Sequence, residues 1–92
     1  SLAKDDLPKF SIVKDKVNID QVNPDAALKY LRKKFIKENL DLTDGLKITW
    51  DDCWIHIRKS NTEPILRIYS EAKVRSKAKN LIDQIKSYLK LI

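Results

Sequence analysis

The sequence is poor in the residues that most often announce a site. Its 92 residues include one glycine, one cysteine, one histidine and three prolines, and no methionine. A lone cysteine, Cys53, cannot close an internal disulfide, and with the lone His56 it cannot assemble a Cys/His metal centre. Such cysteine usage is expected of a reducing, cytoplasmic setting. No apolar run approaches the roughly 18 residues a membrane span requires, so no membrane partner is expected. No secretory h-region opens the chain, and low-complexity tracts and internal repeats are missing. The chain begins at Ser1 instead of methionine, which is expected of a piece cut from something longer.

What is there suits one small domain. Hydrophobic residues make up 42% and charged residues 35%, enough to bury a core and leave a solvated surface. Lys and Arg number 19 against 13 Asp and Glu, a formal charge of +6. That balance favours an anionic partner without saying which, and many of the lysines fall on predicted helix faces turned to water.

Residues 1–13 are expected to form a leader or interdomain linker, because Lys4, Asp5, Asp6 and Pro8 carry no period. The domain is expected over residues 14–92. Val17 and Ile19 alternate with Lys16 and Asn18, which predicts a first strand over 14–19. Asn23 and Pro24 supply an N-cap and a first helical position, and Leu28, Leu31 and Phe35 continue at helical spacing, so a helix is predicted from Pro24 to about Glu38. Asn39 to Gly45 reads as a turn. Leu46, Ile48 and Trp50 then alternate, Asp51 and Asp52 break the run, and Cys53, Ile55 and Ile57 alternate again. After Pro64, residues 65–72 form a further strand, and Ala78, Leu81, Ile82, Ile85 and Leu89 mark a helix over 73–89. The expected order is β-α-β-β-β-α. The expected fold class is α+β: a four-stranded, mainly antiparallel sheet with two helices on one face, like that of the TATA-box-binding protein.

The chemistry concentrates between the last two strands, in Arg58-Lys59-Ser60-Asn61-Thr62-Glu63-Pro64 and the following Ile65-Leu66-Arg67. Arg58 offers a planar fork of donors suited to a phosphate. Ser60 and Thr62 add hydroxyls and Asn61 an amide, and Asn and Ser favour turns whose successive N–H groups converge on an anion. Pro64 stiffens the exit. Taken by composition alone, the same residues also make an ordinary polar hairpin.

The run Arg-x-Ser-Asn-Thr-Glu-Pro-x-x-Arg, with Asp44-Gly45-Leu46-Lys47-Ile48 before it and Tyr69-Ser70-Glu71-Ala72 after it, resembles the C-terminal domain of the α-D-phosphohexomutases: the phosphomannomutases, phosphoglucomutases and phosphoglucosamine mutases. The resemblance spans about Lys14 to Leu89, and Leu7-Pro8-Lys9-Phe10 resembles the segment that joins this domain to the one before it. It implies a part of an enzyme with four domains around a cleft, which moves a phosphoryl group between the C1 and C6 oxygens of a hexose through a phosphoserine, assisted by Mg2+. This domain would grip the phosphate that is not transferred. Carried onto this sequence, Arg58, Ser60, Asn61 and Thr62 are the phosphate-binding residues, with Lys59, Glu63 and Arg67 as secondary candidates. No catalytic residue and no Mg2+ ligand is expected here, so the chain alone is expected to be inactive. The implied partners are a hexose phosphate or bisphosphate and the preceding domains. Asn61 leans toward the phosphomannomutase/phosphoglucomutase branch, whereas Lys59 departs from the proline common at that place.

Other residues read as structural: Asp51 and Asp52 as turn formers, Cys53 as core, His56 as a support, and Trp50 and Trp54 as core or domain-contact residues. Two alternatives stay open. A small basic nucleic-acid-binding α/β module fits the charge and the two tryptophans, but the chain lacks the aromatic pair and glycines of an RNA-recognition motif, and no nucleic acid is expected. A structural cap docking through its sheet would answer to no ligand.

Overall fold

The computed structural model describes residues 10–19 and 23–90. The expected leader lies outside the described residues as far as Lys9. The elements are β1 (Ser11–Asn18), α1 (Pro24–Lys34), β2 (Asn39–Asp41), β3 (Leu46–Thr49), β4 (Cys53–Lys59), β5 (Ile65–Ala72) and α2 (Arg75–Leu89). The strands form one sheet in the order β1-β5-β4-β3-β2, antiparallel at every pairing. The α+β class holds, with a correction: the sheet has five strands, not four. The missed strand is β2, three residues that pair Asn39 to Thr49 and Asp41 to Lys47. The first strand also begins earlier than expected, because Ser11 already pairs with Ala72.

Alternation along the strands sorts side chains onto two faces. Leu46, Ile48, Ile55, Ile57, Leu66 and Ile68 are buried on one face, where they meet Ala27, Leu31 and Phe35 of the α1 region and Ile82 and Ile85 of α2. Both helices therefore cover the same face. Trp54, His56, Arg67, Tyr69 and Glu71 lie half-buried on the other. Cys53 is in the core with Ala72 and Ala78, and burial pushes its thiol pKa up. Trp50 packs against the core; Trp54 lies on the open face, its indole Nε1 donating to Glu71 Oε1 at 2.8 Å. Buried Ser70 is satisfied by donating its Oγ–H to the Trp54 carbonyl at 3.2 Å.

Helix α1 stops at Lys34, short of Glu38. Phe35 is the C-cap, with φ −112° and ψ 24°, and its N–H still donates to the Leu31 carbonyl. Its ring stands edge-on to Trp50 and Tyr88 at centroid distances of 6.4 and 5.5 Å. The periodic pattern continues past the helix end because the core claims Phe35 after the backbone has turned. No helix among the described residues is long and apolar enough to cross a membrane.

Candidate functional site

The segment between β4 and β5 joins neighbouring strands near the middle of the sheet, so register fixes where its ends stand. Ser60 N–H donates to the Ile65 carbonyl at 3.1 Å, and Ile65 N–H to the Glu63 carbonyl at 2.8 Å. A third tie comes from outside the hairpin: Ile19 N–H donates to the Pro64 carbonyl at 2.8 Å. Within the loop, Ser60 Oγ and Thr62 Oγ1 are 3.4 Å apart, and Thr62 N–H donates to Ser60 Oγ at 3.3 Å. Two hydroxyls are thus gathered on one side of a braced turn. Asn61 is exposed between them.

Arg58 and Arg67 are direct partners across β4 and β5, and both project from the open face. Arg58 Nη1 is 3.5 Å from Asp44 Oδ2, and Arg67 Nη2 is 3.9 Å from Glu63 Oε1. All four side chains are about half exposed or more. Ion pairs so exposed contribute roughly 0–1 kcal/mol, so either guanidinium can turn to a dianion at small cost. Charge-assisted bonds to a phosphate contribute more, roughly 1.5–3 kcal/mol each. Glu63 stands as a partner of Arg67.

Lys59 is not brought together with the others. It has the strand parity of the buried face, and its Nζ lies 3.2 Å from Asp25 Oδ1 in the first turn of α1. Asp44 reads in the sequence as part of a turn and of the flanking motif, with no site role, yet it holds Arg58 by its carboxylate and meets His56 Nε2 with its carbonyl. The signal for it is the Asp44-Gly45 pair just ahead of a strand that registers Leu46 against Ile57.

Of the aspartate pair between β3 and β4, Asp52 is otherwise occupied. Asp52 Oδ2 accepts from Lys77 Nζ at 2.9 Å, and that hydrogen bond holds its pKa below the ordinary carboxylate value. Among the described residues no three His, Cys, Asp or Glu side chains come together as a ligand set.

The family model for the phosphoglucomutase/phosphomannomutase C-terminal domain matches residues 11–87. A phosphoglucomutase/phosphomannomutase of Thermococcus kodakarensis is 40% identical over 82 residues, covering 86% of this chain and 18% of that protein. A phosphoglucosamine/phosphogalactosamine mutase of Sulfurisphaera tokodaii is 38% identical over 88 residues, covering 89% of this chain and 19% of its own length. The chain spans less than one fifth of these relatives. A crystal structure of a phosphoglucomutase/phosphomannomutase family protein from Burkholderia thailandensis superposes with a TM-score of 0.67 at 23% identity, covering 99% of this chain and 19% of that one. At that identity the likeness speaks for the fold.

Proposed function

We propose, from the premise that this chain belongs to the phosphoglucomutase/phosphomannomutase C-terminal domain family, that its loop over residues 58–64 grips the non-transferred phosphate of a hexose phosphate. The observation that carries this reading is the braced turn holding the Ser60 and Thr62 hydroxyls 3.4 Å apart, next to two arginines with loosely held acid partners. Arg58 supplies charge and a fork of donors. Ser60, Asn61 and Thr62 supply neutral donors, and Arg67 stands behind them as a second cation.

Such a grip suits a reaction that moves a phosphoryl group between C1 and C6 of a hexose. Binding energy gathered at the phosphate that does not react positions the sugar for chemistry elsewhere. Contacts confined to a phosphate also accept either end of the sugar, because a phosphate looks alike at both. The catalytic groups, the Mg2+ ligands and the choice among mannose, glucose and glucosamine phosphates belong to the preceding domains, in a cytoplasmic enzyme, and this chain alone is inactive.

Titrating the 15N-labelled chain with glucose 6-phosphate at fixed ionic strength tests the grip. Saturable shifts are expected at the amides of residues 58–63, and Arg58→Ala is expected to weaken them roughly tenfold while the other resonances stay in place. Shifts confined to other surfaces would refute the assignment.

A further inference from the structure

The open face of the sheet carries a charge pattern that the loop does not account for. Strand pairing sets its side chains in rows. One row is Lys16 on β1, Arg67 on β5 and Arg58 on β4; the next is Lys14, Tyr69, His56 and Lys47. Directly opposed side chains on one sheet face have Cβ atoms about 4.5–5.5 Å apart, and like charges so placed repel. Three cations opposed in succession therefore cost stability, and the core gains nothing from them, because they project away from it.

The nearby carboxylates neutralise this strip only in part, Asp44 Oδ2 standing 3.5 Å from Arg58 Nη1 in an exposed pair. Glu71 accepts from Trp54 Nε1 one row beyond Tyr69, and Asp41 lies on the far edge strand β2. Asp15 has the parity of the helix side, where its carboxylate meets Lys86. Glu63 reaches Arg67 only at 3.9 Å. At the β1 end of the strip, Lys14, Asp15, Lys16, Arg67 and Tyr69 line an open concavity of about 500 Å³. Lys14 and Lys16 are exposed and Tyr69 is half-buried, so three cationic groups and one phenolic hydroxyl border the same hollow.

We infer that this hollow is a second anion site, which shares Arg67 with the 58–64 loop but is otherwise built from β1 and β5, and which takes a phosphate dianion. The Lys14 and Lys16 ammonium groups and the Arg67 guanidinium supply the charge, and the Tyr69 hydroxyl donates a neutral hydrogen bond. Two sources present this chemistry: inorganic phosphate and the phosphate group of a sugar ester. The dianion turns mutual repulsion along the Lys16–Arg67 pair into shared attraction.

The test uses the 15N-labelled chain, titrated in parallel with sodium phosphate and with glucose 6-phosphate, ionic strength being held constant with sodium chloride. Amides of residues 14–17 and 67–69 are expected to shift saturably with both. A tighter midpoint for the ester assigns the natural source to a sugar phosphate, and equal midpoints assign it to the phosphate group alone; the site stands in either case. The double variant Lys14→Gln/Lys16→Gln, at exposed positions of an edge strand, is expected to weaken the strand response roughly tenfold and to leave the shifts of residues 60–63 within about twofold. Lys16→Gln alone gives a smaller loss in the same direction. Strand amides that stay still, that move equally in chloride, or that ignore both variants overturn the inference. So does a short single-stranded oligonucleotide that displaces phosphate with a much tighter midpoint, which would mark the face as a nucleic-acid surface. A silent loop beside a responding strand leaves this inference standing and sinks the loop reading; the reverse result does the opposite.

Discussion

Gly45 has φ +75°, and a Cβ placed on it would run into the Ile57 carbonyl oxygen and press on Arg58 Cα. The one glycine of the chain is thus spent where β3 enters beside the end of β4. Gly45→Ala is expected to destabilise the fold by about 2 kcal/mol or more in denaturant unfolding, since the left-handed conformation and the close approach both count against a side chain. It is also expected to disturb Arg58, whose backbone is the second contact. At Asp15 the direction of change with pH is fixed by its partners. Hydrogen bonds from Lys86 and from the Lys16 N–H hold its pKa below the ordinary carboxylate value. A carboxyl so depressed contributes stability that is complete above its unfolded pKa and is lost as pH falls through the folded one. The unfolding midpoint is therefore expected to drop as pH falls below about 4, and Asp15→Asn to flatten that drop while lowering the midpoint near neutrality. Asp41 and Asp52 shift the same way from exposed positions and add to the acid sensitivity that remains.

The two helices are finished differently at their N-termini. Asn23 Oδ1 accepts from the Asp25 and Ala26 N–H groups at 2.8 and 3.2 Å, with Pro24 in the first helical position. Val74 stands at the same place in α2, extended, 59% exposed and without a side-chain cap bond. Val74→Ser is therefore expected to raise stability by about 0.5–1 kcal/mol, and Asn23→Ala to lower it by about 1 kcal/mol, both read by chemical denaturation. The contrast was legible beforehand at only one of the two starts. Asn-Pro-Asp announces a helix by its chemistry, whereas Lys73-Val74 carries no signal and places a boundary two residues early. Strand β2 escaped notice for a related reason: Asn39-Leu40-Asp41 is too short for alternation to show and is built from turn-forming residues. What makes it a strand is the neighbouring β3 edge, which no local pattern records. The long alternating runs of β4 and β5 were readable because one buried face imposes period two on both.

At the scale of the whole molecule, a +6 chain presents an open sheet face on which basic side chains outnumber the carboxylates free to meet them. An anion that binds only the folded form must stabilise it. The folded form is expected to gain about 1.4 kcal/mol of stability per site at phosphate ten times the dissociation constant, read as a thermal midpoint that rises beyond any chloride effect. Arg58→Ala should remove part of that gain, the remainder belonging to the hollow between β1 and β5. A midpoint indifferent to phosphate would contradict both anion sites together. The loop residues Arg58, Ser60, Asn61 and Thr62 can be proposed from the sequence because they fall in one short motif. The Lys16–Arg67–Arg58 row could not, because only strand order brings together residues 51 and 9 positions apart.

The tie from the Ile19 amide to the Pro64 carbonyl has a mechanical consequence. Ile19 itself is buried beneath the sheet, at 6% exposure. A loop moored to a buried residue in this way swings away alone only by giving up that bond. If the loop grips a phosphate as proposed, release then comes more readily from the ligand leaving a braced loop, or from the whole domain tilting, than from the loop opening by itself.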